Sequence, residues 1–305
     1  MKVTVQTAGT VWQKDVEDGY RRIAKAGFEG VDFNMDVDIS KIKKAAELKD
    51  VSDFERSGAE LVEYYKPHLD AMKKYGLAMT QAHAPFPPYV AGRRDVLDYM
   101  ISIYKNVIDF CEMVGCPYLV MHGVKHFTSD IEDYALSQEL DAYLYESLID
   151  TLKDKKIVVC LENIPTPING KNMESICCNP ILAAEQIDRL NEKAGCEAFG
   201  FCLDTGHMLL VGKRFETFVP IIGNRLKVLH INDNDGILDR HLAPFAGLVN
   251  WKDFITAMRN VGYKGDLSFE TVYQMVKPGV ADGLVDEMLR HIHAIGAYFR
   301  DEILK

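Results

Sequence analysis

Side chains able to bind a metal or carry a proton gather in this sequence at the ends of apolar segments. LHINDNDGILDRH, residues 229–241, sets His230, Asp233, Asp235, Asp239 and His241 directly behind the apolar run RLKVL. His83, His122 and His207 stand at equivalent places, at or just past the end of an apolar segment, as do Glu162, Asp204 and Glu270. Singly, each has an ordinary explanation. A strand-end histidine is usually hydrogen-bonded scaffolding, and Asp204 ahead of TGHM suits a helix N-cap. Glu162 after VVCL and Glu270 after LSF are harder to dismiss: a carboxylate in such company needs a counter-charge, and no lysine or arginine adjoins either. One divalent cation would neutralise several of these groups at once. As a set they read as a metal site.

Residues so far apart in sequence meet only if the fold delivers their segments to one place. Segments 3–8, 30–34, 77–84, 118–122, 157–163, 199–204, 226–233 and 265–271 are rich in β-branched and aromatic residues. Several are nearly continuous in apolarity, as parallel strands covered on both faces are. Apolar spacing of three and four predicts helices over 15–26, 58–75, 94–114, 137–153, 180–194, 251–261 and 281–303, with a shorter one after 213 interrupted by Pro220. Eight strand–helix units in this length predict one α/β domain over residues 1–305. The expected architecture is a (β/α)8 TIM barrel of parallel strands with its active site at their carboxyl ends. A doubly wound open sheet is the rival, but TAGTVW after the first strand is not its glycine-rich phosphate turn. The long connections 34–57, 84–93 and 164–179 all fall on the rim where the strands end, where lids are built.

Composition narrows the partners. Forty-five acids against 35 lysines and arginines give a net charge of −10, which opposes a nucleic-acid surface. The densest basic run, KDKK at 153–156, reads as a solvated helix end. Seven cysteines without CxxC spacing, and no apolar run of spanning length, predict a cytoplasmic protein with no membrane partner. A homo-oligomer is compatible with all of this. Among lesser candidates, His126 reads as an exposed loop residue and His68, His291 and His293 as surface residues. Trp12 is a substrate wall or core packing; Arg93, Arg94, Lys213 and Arg214 are phosphate contacts or solvated helix starts. Asp235 before Gly236 suits a turn, and Asp233 a place behind the ligands.

The ordered set HAPF (83–86), MHG (121–123), LEN (161–163), DTGH (204–207), HIND (230–233), DRH (239–241) and FET (269–271) resembles the xylose isomerase-like TIM-barrel superfamily. GFCLDTGH and LHINDNDGILDRH are similar to the signature regions of its endonuclease IV-type apurinic-site endonucleases. The resemblance implies a principal metal held by Glu162, Asp204, His230 and Glu270. It implies a second position from His83, His122 and bridging Glu162, and a third from His207, Asp239 and His241. One to three divalent ions per chain are expected, with Zn, Mn and Co all suited to such mixed ligands. No separate organic cofactor is expected. Gly206 departs from those endonucleases, which commonly carry cysteine there, and their DNA-contacting loops are not found.

The favoured function is an isomerase or epimerase that acts on a sugar or polyol-derived carbonyl compound through an enediolate. Glu162 and Glu270 would exchange the proton, and His207, if the third metal position is empty, would hold a substrate hydroxyl. The alternative is a polynuclear-zinc phosphodiesterase of the endonuclease IV type, which the full nine-residue pattern favours and the acidic surface opposes. A non-catalytic sugar-sensing or subunit protein is the third class.

Overall fold

Eight parallel strands form the centre of the computed structural model, which describes residues 1–11, 15–35, 52–128, 131–271 and 280–305. They are β1 (Val3–Gln6), β2 (Gly30–Asn34), β3 (Ala78–His83), β4 (Tyr118–Met121), β5 (Val158–Glu162), β6 (Phe199–Asp204), β7 (Leu226–His230) and β8 (Leu267–Phe269). From β1 to β7 each strand pairs in parallel with the next, and β1 pairs with β8. Between β7 and β8 the ring is closed by Ile231 N–H donating to Ser268 O (2.8 Å) and Glu270 N–H donating to Ile231 O (3.0 Å). The architecture is the (β/α)8 TIM barrel that the strand–helix alternation predicts.

The helices are α1 (Val16–Ala26), α2 (Gly58–Tyr64), α3 (Lys66–Tyr75), α4 (Arg94–Val114), α5 (Tyr134–Glu146), α6 (Ile149–Leu152), α7 (Pro180–Ala194), α8 (Thr205–Leu210), α9 (Phe215–Ile222), α10 (Trp251–Val261) and α11 (Asp282–Ile303). The expected helix 58–75 is two helices, because the chain turns at Tyr65 and restarts with Pro67 in the first turn of α3. The expected helix 137–153 begins earlier, where Asp133 caps α5, and breaks at Ser147 before α6. Pro220 sits inside α9 without ending it. The last strand is shorter than 265–271, with Gly265 and Asp266 before it and Glu270 and Thr271 beyond it. Two small hairpins, Phe127–Thr128 with Ile131–Glu132 and Thr166–Ile168 with Lys171–Met173, rise from the rim.

Strand alternation decides what faces the barrel axis. In β5, Val159 and Leu161 join the large apolar layer beneath the helices, while Val158 and Cys160 join a small inner cluster with Val120, Cys202 and Val228. Two residues on from Cys160, Cys202 and Val228 come Glu162, Asp204 and His230. The lower barrel is therefore plugged with apolar side chains on this half, and its mouth is lined with metal-capable ones. Gly296 shows how tightly the shell closes: a Cβ there would strike Val3 and Phe269, so α11 lies directly on β1 and β8. Among the described residues no helix is long and apolar enough to cross a membrane. The seven cysteines are all free, and every one but Cys196 is buried.

Candidate metal centre

Glu162 ends β5 almost fully buried, and its two oxygens look in different directions. Oε1 lies 3.1 Å from His230 Nδ1, and Oε2 lies 3.3 Å from His122 Nε2 and 3.6 Å from His83 Nε2. Although buried, Oε2 has no hydrogen bond. His83 Nδ1 is 2.8 Å from Ala84 O and so donates to it, while Nε2 faces His122 Nε2 at 3.1 Å. Two imidazole nitrogens and a carboxylate oxygen thus converge at one point.

On the other side of Glu162, His230 Nδ1 is 3.2 Å from Glu270 Oε2, whose Oε1 accepts from Gln6 Nε2 at 2.8 Å. Asp204 fills the gap between them. It caps α8, Oδ1 accepting from His207 N–H at 2.7 Å, while Oδ2 accepts from Asn232 Nδ2 at 2.6 Å. Ligand atoms of Glu162, Asp204, His230 and Glu270 all lie within 4.8 Å of one another, and so do those of His207, Asp239 and His241. In this outer trio Asp239 Oδ2 is 3.3 Å from His207 Nε2 and 3.1 Å from His241 Nε2. Its carboxylate is 45% exposed, whereas both imidazoles are buried.

Histidines are the ion-pair partners of the carboxylates in the mouth. Among the described residues no lysine or arginine pairs with Glu162, Asp204, Asp239 or Glu270. Burial opposes a charged His207 and His241, yet the carboxylates beside them win and raise the rings to about 9 and about 10. Burial would raise Glu162, but His230, His122 and His83 hold it well below the usual carboxylate range. Burial does push Asp204 up to about 6. At His122 burial prevails and lowers the ring to about 3, so it offers a neutral nitrogen. This donor set, buried, mixed in nitrogen and oxygen and short of cations, suits a divalent metal.

All nine candidate ligands thus come to the carboxyl end of the barrel, but the inner group around His83 is His83, Glu162 and His230, overlapping the set Glu162, Asp204, His230 and Glu270, while His122 stands beside Glu162 outside both. Other expectations fare differently. Asp233 lies outside these groups and organises the following loop instead, accepting from the N–H groups of Gly247 and Val249 and from Trp251 Nε1. Asp235 does make the turn, accepting from Ile237 and Leu238 N–H around Gly236. His126 is buried rather than exposed, its Nδ1 2.8 Å from Tyr89 Oη. His68 is not a surface residue: it packs edge-on among Tyr20, Phe33 and Tyr65. His293 likewise lies against Phe28, while His291 is exposed. Arg93, Arg94, Lys213 and Arg214 pair with Asp95, Asp98, Glu174 and Glu216, so none is held ready for phosphate. Trp12 and most of the 34–57 connection lie outside the described residues.

Sequence reading overlooked the amides and the acid beneath the ligands. Gln6, Asp32 and Gln81 end or interrupt β1, β2 and β3, and Asn163 clamps β6 by accepting from Asp204 N–H and donating to Asp204 O. A signal existed: Asp32 sits between Val31 and Phe33, where a charge interrupts an apolar strand. Gly206 is explained by the same layer, because a Cβ there would collide with Asn232 Oδ1. A cysteine cannot stand at this position without moving the residue that holds Asp204.

The chain belongs to the xylose isomerase-like TIM barrel family, whose model matches residues 20–293. It is 25% identical over 288 residues to the uncharacterized protein y4fM of Sinorhizobium fredii, covering 89% of this chain and 88% of that one. It is 26% identical over 179 residues to a "Probable endonuclease 4" of Nitrosopumilus maritimus, covering 53% of this chain and only 59% of that protein. Among solved structures, D-allulose 3-epimerase from Methylomonas sp. in complex with D-allulose superposes with a TM-score of 0.67. That match has 15% identity and covers 99% of this chain and 96% of that one, which shows a shared fold.

Proposed function

We propose that this chain is a divalent-metal-dependent isomerase or epimerase of a sugar or polyol-derived carbonyl compound, working by proton transfer through an enediolate. The observation that carries the reading is the meeting of Glu162, Asp204, His230 and Glu270, one from each of four successive strand ends, within 4.8 Å. These four would hold the principal ion. When bound, such an ion would polarise the carbonyl and stabilise the negative charge that develops on the substrate oxygens.

The chain's own residues supply the rest. Glu162 and Glu270 reach the centre from strands separated by β6 and β7, so they can address a substrate carbon from two directions. One takes the proton beside the carbonyl; the other returns a proton to the same or the neighbouring carbon. The Gln6 amide holds Glu270 Oε1, leaving Oε2 turned toward the centre. His207 Nε2 faces the more open side, where it would bind a substrate hydroxyl. The allulose epimerase with the same fold, solved with its ketohexose, supports a sugar as the substrate class.

The test is solvent-deuterium exchange into ketohexoses and related polyol ketones with the metal-loaded enzyme. Exchange should occur in the wild type and vanish in a folded Glu270→Gln variant; undiminished exchange in that variant removes Glu270 as a base. A second reading, a three-zinc phosphodiesterase, is favoured by the gathering of His207, Asp239 and His241 and by the endonuclease 4 relative. Metal content separates the two. Near one ion per chain supports carbonyl chemistry; near three zinc ions, with cleavage of abasic duplex, supports the phosphodiesterase.

A further inference from the structure

We propose that Asp32 is a positioning residue for His230, fixing which imidazole nitrogen faces the metal cage and thereby setting the affinity of the central site. The proposal rests on the reading of His230 as a ligand. Asp32 lies in the middle of β2, fully buried, with its flanking residues Val31 and Phe33 in the apolar layer under the helices. Its own side chain therefore points into the barrel, below the ligands. Oδ2 is 3.0 Å from His230 Nε2 and accepts from Gln81 Nε2 at 3.1 Å, whereas Oδ1 has no hydrogen bond. Gln81 also reaches Leu229 O at 3.4 Å, tying this acid across the barrel to the strand that bears His230.

A carboxylate so placed needs a cationic neighbour. Among the described residues no lysine or arginine pairs with it, and His230 is its one charged partner. The approach is close in distance but not in line with the ring N–H, so the pairing is chiefly electrostatic. It nevertheless assigns the two nitrogens. Without an ion Nδ1 donates to Glu162 Oε1 at 3.1 Å; a cation taking that side, between Glu162 and Glu270, would displace this proton and bind the Nδ1 lone pair, with the remaining proton on Nε2 toward Asp32. A carboxylate behind a ligating histidine commonly fixes its tautomer and raises its basicity, and losing it typically weakens metal binding about 10- to 100-fold.

The experiment strips the full chain with a chelator and titrates it with Co(II), reading affinity and coordination from the visible spectrum. Asp32→Asn should bind the first Co(II) about 10- to 100-fold more weakly than wild type. Gln81→Leu, which releases Asp32 on one side, should show a smaller loss in the same direction. Thermal melting of the chelated proteins checks the fold; if Asp32→Asn does not fold, Gln81→Leu decides. Nitrogen-15 NMR of the Zn(II)-loaded protein should show His230 protonated at Nε2 in the wild type and a changed tautomer in Asp32→Asn. Wild-type Co(II) affinity in folded Asp32→Asn, or in Gln81→Leu if that alone folds, overturns the proposal. If the wild type itself takes up no Co(II), the metal reading fails, and Asp32 is judged on the metal-free protein. There, a His230 Nε2 proton that exchanges faster in Asp32→Asn supports positioning, and an unchanged one refutes it.

Discussion

The two outer histidines of the barrel mouth and one half-buried histidine elsewhere prefer opposite charge states. In the barrel mouth His207 and His241 are raised to about 9 and about 10 despite burial, because Asp204, Asp239 and Glu270 stand against them. In the seam between β2, α1 and α3, His68 meets Tyr20, Phe33 and Tyr65 instead, and burial lowers it to about 4. The side chain is the same and the desolvation has the same sign. What differs is the neighbours, so the mouth is defined less by its histidines than by the excess of carboxylate they face. Such an excess is costly unless a cation takes it up, which is why the same residues in the seam would mean nothing for function.

Removing carboxylate from the mouth should break that contrast most strongly at Glu162, whose two oxygens serve both inner groups. Glu162→Gln should lower affinity for the first divalent ion by more than the ~100-fold that a residue behind a ligand can cost, with proton exchange into substrate falling below detection. Retained ion binding at wild-type affinity would mean that Glu162 is not a ligand. Asp239→Asn should act mainly on the outer trio, since its Oδ2 faces His207 and His241 while its Oδ1 accepts only a long bond from Asn234 Nδ2 (3.5 Å). If the enzyme is an isomerase, that variant keeps its central ion and loses less than about 10-fold in turnover. A loss as large as that of Glu162→Gln would move the weight to the three-metal reading.

Gly206 sharpens the boundary between ligand and support. A methyl group at this position runs into Asn232, which donates to Asp204 Oδ2. Gly206→Ala should destabilise the fold by about 1–3 kcal/mol, as overpacking does, and weaken ion binding through Asp204. Denaturant midpoints and ion titration read the two effects separately. An unchanged midpoint would show that Asn232 yields at no cost.

Much of this mouth was legible in the sequence because both of its determinants are local. Strand segments announce themselves by β-branched apolar runs, and a ligand placed on the last inward position of a strand sits beside a visible boundary, as Glu162 does after VVCL. The supporting layer was not legible for a related reason. Asp32, Gln81 and Gln6 lie within strands, and their meaning depends on which side chains β7 and β8 present across the barrel. His68 and His126 were misjudged because packing on rings or on a tyrosine hydroxyl from another loop leaves no mark in neighbouring positions. The break in the helix at Tyr65 was written in Pro67, but the apolar spacing continues through it.

The seam gives the smallest effect and the cleanest sign. His68 is neutral in the folded protein down to about pH 4, whereas an exposed imidazole titrates near 6.5. Between those two pH values the unfolded chain binds a proton that the folded chain does not, so stability falls as pH drops from about 6.5 to about 4 and then levels off. Partial exposure of the ring discounts the full shift, leaving about 2 kcal/mol. His68→Phe keeps the aromatic packing and removes this proton. It forfeits the contact with Tyr20 Oη (3.1 Å to His68 Nδ1), a roughly 1 kcal/mol cost that does not depend on pH. Urea midpoints at pH 7 and pH 4.5 should therefore differ less in the variant than in the wild type. Carboxylates titrating in the mouth contribute to both proteins alike, so they cancel in the comparison. An equal pH dependence in the two would mean that the seam histidine is protonated after all, and that the contrast between mouth and seam is one of position rather than charge.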